Sequence, residues 1–158
     1  MIEEKTNDLE LVIVIKVIDG DTIVVSDGRR VRLVGVNTPE ASYYKKEPYG
    51  IQAKNYTTYK LLGKSVWLQR DVSDVDIYNR SLRIVWLEKP VKSMDIVEIR
   101  EKMFNAQLVL EGLAEAKAYI PDVTYNRFLI RFMGEAKETR RGMWGSKIIE
   151  MYSFSLDK

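Results

Sequence analysis

"LELVIVIKVIDGDTIVVSDGRRVRLVGV" (residues 9–36) contains three runs of β-branched and other apolar residues, at 9–18, 22–25 and 30–36. Each gap between the runs holds an Asp-Gly pair, which favours a tight turn, so the stretch predicts a three-stranded meander. The first run is nearly continuous, as in a strand that is buried on both faces. Gly35 inside the third run predicts a bulge or a sharp bend.

The rest of the chain adds two strands and three helices. The expected elements are a helix over 49–64, strands over 65–72 and 80–88, a helix over 100–112, and a last helix that begins near Tyr125 and stops before Gly142. Five short strands and three helices predict an α+β fold, and an OB-like five-stranded β-barrel suits them because closure removes edge strands. No repeat, low-complexity tract or linker divides residues 1–158, so we expect a single domain.

The composition narrows the chemistry that this chain can perform. It has no cysteine and no histidine, which excludes thiolate nucleophiles, histidine acid–base catalysis and Cys- or His-based zinc sites. Any bound metal must therefore be held by oxygen atoms, a preference of calcium and magnesium. A net charge of +2 is also too small for a protein that coats nucleic acid.

The beginning of the chain gives no targeting signal. "MIEEKTNDLE" (1–10) lacks the basic segment of a secretory signal, and no apolar run approaches the length of a membrane span. We therefore expect no membrane association, and a chain that is either cytoplasmic or the mature form of a secreted protein.

Three short motifs carry the polar side chains with the clearest chemical potential: "DGDT" (19–22), "VRLVGVNTPE" (31–40) and "DIYNR" (76–80). Two arginines in these motifs have guanidinium groups that bind phosphate bidentately. Carboxylate, amide and carbonyl oxygens suit Ca²⁺, and a remaining glutamate can activate water. Together they form the inventory for metal-assisted hydrolysis of a phosphodiester.

The series "IDGDT", "VRLVGVNTPE", "YGIQA", "DIYNR" and "ETRRGMWG" resembles the staphylococcal-nuclease (thermonuclease) family over roughly residues 13–145. The resemblance implies an OB-like barrel with three helices and a core at about 11–147. It also implies Ca²⁺-dependent hydrolysis of DNA and RNA that leaves 3′-phosphates, acting as a monomer on single-stranded or exposed strands. "MFNAQLV" and "EGLA" are similar to the family as well, which makes 89–101 an insertion.

The resemblance assigns roles to five residues by their places in these motifs. Asp21 matches the principal calcium-binding carboxylate, while Asp19 and Gly20 shape the turn. Thr38 matches the position whose backbone carbonyl binds the metal, and Glu40 matches the carboxylate that activates or orders the attacking water. Both Arg32 and Arg80 match arginines that hold the scissile phosphate and stabilise its developing charge.

Two tyrosines and two asparagines complete the comparison with the family pattern. Tyr78 matches a tyrosine that contacts a substrate phosphate, and Tyr119 lies near base-stacking tyrosines. Asn37 replaces a second metal-binding aspartate; its amide oxygen can still bind calcium, but we expect affinity to be lower by about ten- to a hundredfold, ~1.4–2.8 kcal/mol. Asn79 replaces a glycine, and asparagine tolerates a left-handed backbone.

The sequence is also compatible with two other functions. The main alternative is a catalytically weak or silent OB-fold module that only binds nucleic acid or a protein partner. A hydrolase of small phosphodiesters is a third. Retention of Asp21, Arg32, Glu40 and Arg80 together favours the enzyme, because a pure binder has no use for the whole set.

Overall fold

The computed structural model describes residues 9–42 and 46–145. Its strands are β1 (Leu9–Asp19), β2 (Thr22–Val25), β3 (Arg30–Leu33), β4 (Val36–Asn37), β5 (Ser65–Gln69), β6 (Ser81–Trp86) and β7 (Glu115–Ala116). Its helices are α1 (Gly50–Leu61), α2 (Ile96–Lys102), α3 (Phe104–Leu110) and α4 (Asn126–Glu138). In this part of the chain, no helix is long and apolar enough to cross a membrane.

Five of the strands close into a barrel in the order β1-β2-β3-β6-β5, with β5 also paired to β1. All neighbours are antiparallel except β3 and β6, which run parallel. Closure pairs every strand of the barrel on both sides, so no edge is left open. The prediction of an α+β fold with an OB-like five-stranded barrel is confirmed.

The outer face of β1 is more exposed than its sequence suggested. Val12 and Val14 point into the barrel and are buried, whereas Leu11, Ile13 and Ile15 are each about half exposed. The expectation that this strand is buried on both faces was wrong. The side chains of a barrel strand point alternately to the inside and the outside of the barrel. In β1 several outward-facing positions are also apolar, so the sequence does not distinguish the two faces.

The third predicted strand is shorter than its apolar pattern. β3 ends at Leu33, and Gly35 adopts a positive φ of 77°. A β-carbon at Gly35 would lie only 2.8 Å from Leu129 Cδ1 of α4, so glycine is required for the close approach as well as for the bend. The chain thereby leaves the barrel and forms β4, which pairs with β7.

The helix predicted over 100–112 is divided into α2 and α3. Met103, between them, has an extended backbone and pairs with Trp86 of β6. α2 begins within the 89–101 segment that the family resemblance makes an insertion, and Asp95 caps it by accepting hydrogen bonds from the amides of Val97 and Glu98. That 89–101 is an insertion relative to the family stays a prediction.

Candidate active site

The turn between β1 and β2 is fixed against α1. A β-carbon at Gly20 would lie 2.8 Å from Ala53 Cβ and 2.9 Å from Thr38 Cγ2, so only glycine allows this packing. Thr57 Oγ1 donates a 2.6 Å hydrogen bond to the Gly20 carbonyl. The two flanking aspartates are therefore presented from a rigid support.

Asp21 is buried and joins this turn to the segment after β4. Its Oδ2 accepts a 2.9 Å hydrogen bond from the Thr38 amide and lies 3.2 Å from Arg32 Nη2. Its Oδ1 accepts a 3.0 Å hydrogen bond from Thr22 Oγ1. Three of the residues that we singled out, Asp21, Arg32 and Thr38, are thus in direct contact.

Arg32 is held by four contacts around one guanidinium. Nη1 donates to the carbonyls of Leu33 (2.6 Å) and Val36 (2.9 Å), which the bend after β3 brings together. Nη2 donates to Asn37 Oδ1 at 3.3 Å and pairs with Asp21. The positive charge therefore has one orientation before any ligand arrives, which favours anion binding because little reorganisation is needed.

Asp19 also lies beside this group of residues around Asp21. From the sequence we expected Asp19 only to shape the turn, and this position was not predicted. Its Oδ1 accepts a 3.2 Å hydrogen bond from the Ala41 amide, next to Glu40. Burial raises the pKa of Asp19, and the negative charges of Asp21 and Glu40 raise it further, against the lowering effect of that hydrogen bond. The spacing of the two aspartates in "DGDT" was the available signal.

We expect Asp19→Asn to stabilise the metal-free protein at neutral pH by up to about 1 kcal/mol, because it removes one of several mutually repelling charges. The asparagine Oδ1 can still accept from the Ala41 amide. The same change should weaken calcium binding severalfold, since an attractive charge is lost. Urea unfolding in EDTA measures the stability, and calcium titration measures the affinity. A lower stability of Asp19→Asn in EDTA would contradict the expected relief of charge repulsion.

Arg80 is oriented by Asp76 in the loop before β6. Asp76 Oδ2 accepts from Arg80 Nε at 2.7 Å, while Oδ1 accepts from the amides of Arg80 (2.9 Å) and Tyr78 (3.0 Å). Burial alone would raise the pKa of Asp76, but the hydrogen bonds and charge of Arg80 outweigh it and lower the pKa. The guanidinium also lies 5.2 Å from the centre of the Tyr78 ring.

Asn79 has a left-handed backbone, with φ of 60°, between Tyr78 and Arg80. We expect Asn79→Ala to lower the free energy of unfolding by about 1 kcal/mol. Alanine lacks the short polar side chain that lets asparagine adopt a left-handed backbone conformation at lower cost. Asn79→Gly should not lower it. Equilibrium urea denaturation of both variants checks this, and equal stability of the alanine and glycine variants would contradict it.

Four of the predicted residues line one cleft, and Glu40 does not line it. The cleft has a volume of about 680 Å³, and its lining includes Arg32, Arg80, Tyr78 and Tyr119. Arg32 is therefore shared, because it lines the cleft and also contacts the cluster around Asp21. The structure brings the predicted arginines and tyrosines to one cleft, and Asp21 contacts Arg32 beside it.

The oxygen donors beside Arg32 fit a calcium-type ion better than a transition metal. Thr38 Oγ1 is buried and has no hydrogen-bond partner within the described residues. Residues 9–42 and 46–145 contain no group of three Asp, Glu, His or Cys side chains arranged to hold a metal. A cation here would rely on Asp21 together with amide, carbonyl and water oxygens, a mixture that Ca²⁺ accepts.

Fold and site together define the class: an OB-like barrel protein with an arginine-lined cleft, in which Arg32 also contacts the buried Asp21. A family model described as staphylococcal nuclease homologue matches residues 30–146. The chain belongs to this family.

Two curated relatives are similar over most of their length. The thermonuclease of Staphylococcus hyicus is 36% identical over 138 residues, which is 84% of this chain and 75% of that protein. The thermonuclease of Staphylococcus intermedius is 38% identical over 140 residues, which is 85% of this chain and 76% of that protein.

Proposed function

We propose that the chain is a calcium-dependent nuclease that hydrolyses phosphodiester bonds of DNA and RNA and leaves 3′-phosphates. Family membership and the two thermonucleases support the nuclease activity. The observation that carries the proposal is the position of Arg32, which touches both Asp21 and the cleft that holds Arg80. This position supports a site in which phosphate-binding arginines lie beside an oxygen ligand for a cation.

The arginines bind and orient the scissile phosphate in this proposal. Arg32 and Arg80 contact its non-bridging oxygens, and Asp76 keeps the Arg80 side chain in position. Asp21, Asn37 and the Thr38 carbonyl would hold the calcium ion. When bound, calcium neutralises phosphate charge and polarises the phosphorus centre. Fixed positive charges of this kind stabilise the extra negative charge of the pentacoordinate transition state.

Glu40 is the proposed general base. It takes one proton from the attacking water, whose oxygen forms a new bond to phosphorus. The bond from phosphorus to the 5′-oxygen breaks, that oxygen takes a proton from solvent to become a 5′-hydroxyl, and Glu40 returns its proton to solvent. The phosphate stays on the 3′-oxygen. Glu40 is exposed, so water reaches it from solvent.

The tyrosines of the cleft support action on single-stranded or exposed nucleic acid. Tyr119 is 46% exposed, so its ring is accessible to a base, and Tyr78 is 65% exposed, so its hydroxyl is accessible to a substrate phosphate. Base–aromatic stacking requires unpaired bases and tolerates any sequence, which suits broad specificity. We also expect the chain to act as a monomer.

Digestion of plasmid DNA and of RNA with Ca²⁺, with Mg²⁺ and with EDTA tests this function. We expect degradation with calcium, none in EDTA, and products that become substrates for a 3′-phosphatase. Salt-sensitive strand binding without digestion at any calcium level would overturn the proposal and favour a binding module.

A further inference from the structure

We propose that Asp122 is a positioning residue that joins the two walls of the substrate cleft and fixes the distance between them. This inference rests on the proposed function, in which the cleft receives a nucleic-acid strand. Asp122 lines the cleft but is not one of the groups assigned to phosphate, base or metal. Its role follows from which backbone groups it binds.

The two walls come from separate parts of the chain. One wall is the segment from Ser73 to Leu82, which carries Tyr78 and Arg80; the other is the segment from Tyr119 to Asp122. Asp122 closes the second segment on itself, because its amide donates a 2.7 Å hydrogen bond to the Tyr119 carbonyl. A bond from Asp122 to the first wall therefore fixes Tyr119 relative to Arg80.

Asp122 makes this bond through a single carboxylate oxygen. Oδ1 accepts hydrogen bonds from the amides of Val72 (3.0 Å) and Ser73 (2.7 Å), where the first wall begins. The residue is only 6% exposed, so water does not readily replace these bonds. Burial alone would raise the pKa of Asp122, but the bonds from Ser73 and Val72 outweigh it and lower the pKa, so the carboxylate is charged at neutral pH.

A second carboxylate, that of Asp71, also connects the two parts of the chain, with donor and acceptor sides exchanged. Asp71 Oδ1 accepts from Thr124 Oγ1 at 2.8 Å, and Asp71 Oδ2 accepts from the Thr124 amide at 3.1 Å. Asp71 lies just before the first wall and Thr124 just after the second, so one aspartate from each side binds the backbone of the other part of the chain. We name Asp71 and Asp122, with these bonds, the aspartate clasp.

Apolar packing does little to hold the walls together at the mouth of the cleft. Ile77 on the first wall is 91% exposed, and Ile120 on the second is 90% exposed. Side chains so exposed bury little surface and contribute little to the association of the two segments. The charge-assisted hydrogen bonds of the clasp are stronger than neutral ones, and they are placed at the base of both walls.

The test compares Asp122→Ala and Asp122→Asn with Asp95→Ala. Asp95 is a matched control, because its Oδ1 also accepts two backbone amides, from Val97 (2.9 Å) and Glu98 (3.1 Å), but it caps α2 and does not line the cleft. Two readouts are used, both in EDTA: hydrogen exchange of the backbone amides across 74–82 and at 119, 120 and 122, and the Kd for a fluorescent single-stranded octanucleotide.

We expect Asp122→Ala to speed exchange in both walls and to raise the Kd by about tenfold or more. Asp122→Asn should restore most of the binding, because its Oδ1 can accept both amides. Asp95→Ala should change neither readout. Faster exchange in only one wall, an unchanged Kd, or an equal effect of Asp95→Ala would overturn the proposal.

The clasp and the nuclease can fail separately. If the wild-type protein binds the octanucleotide but digests nothing, the proposed function fails while the comparison of variants still decides the role of Asp122. If the wild-type protein does not bind the octanucleotide, Asp122 is not a positioning residue for a strand, and the inference is overturned. Both readouts are made in EDTA, so neither depends on catalysis.

Discussion

Replacing Glu40 with glutamine is expected to slow calcium-dependent hydrolysis by roughly 10²–10⁴-fold, the usual contribution of a positioned general base. Glutamine has nearly the same shape but cannot take a proton from water. The backbone of Glu40 is held independently of its side chain, since the Glu47 amide donates a 2.9 Å hydrogen bond to the Glu40 carbonyl. We therefore expect an unchanged fold and unchanged Kd for a strand in EDTA.

Glu47→Gln is the matched control, because it removes the same charge from the same loop. The rate of cleavage of a fluorescently labelled single strand at saturating calcium measures both variants. An equal loss of rate in Glu40→Gln and Glu47→Gln would mean that the negative charge of the loop affects the rate and that Glu40 is not a general base. A Glu40→Gln rate within severalfold of wild type would remove Glu40 from the mechanism.

Asn37→Asp is expected to tighten calcium binding by about ten- to a hundredfold, or ~1.4–2.8 kcal/mol. A second negative charge beside Asp21 would attract the cation, and at the dielectric near a protein surface a charge a few ångströms away is worth several kcal/mol before desolvation. Arg32 offsets part of this gain, because its Nη2 already lies 3.3 Å from Asn37 Oδ1 and would pair with the added carboxylate.

Isothermal titration with CaCl₂ measures the affinity directly. Asn55→Asp, at an exposed position on α1, makes the same chemical change away from the cluster and serves as the control. Unchanged or weaker calcium affinity in Asn37→Asp would remove residue 37 from the proposed ligand set. A similar gain in Asn55→Asp would show a general effect of net charge.

Much of this architecture could be predicted from local patterns. Alternating and β-branched runs indicated the five barrel strands, and the helical spacing after Tyr125 indicated α4. The motifs also pointed to Asp21, Arg32, Asn37 and Thr38; in the structure Asp21 and Asn37 contact the Arg32 guanidinium, and Thr38 contacts Asp21. These signals are readable because strand and turn preferences depend on neighbouring residues, and because phosphate and calcium each select few side-chain types.

The hydrophobic pattern of the sequence did not predict the break at Met103, which divides one expected helix into α2 and α3. Residues on both sides of Met103 favour a helix, but Met103 itself is fully buried and pairs with Trp86 of β6. Packing against the barrel overrides the local preference there. The cap at Asp95, by contrast, is a local signal that the sequence does contain.

By itself, the sequence determined the barrel, its strands and the chemical types of the groups available for the site. Only the tertiary structure decided that Arg32 both contacts Asp21 and lines the cleft, that Asp19 accepts from the Ala41 amide, and that Asp122 binds the backbone of the opposite wall. The physical reason is separation along the chain. Hydrogen bonds between residues about fifty positions apart depend on how the closed barrel brings its loops together, and no local preference encodes that arrangement.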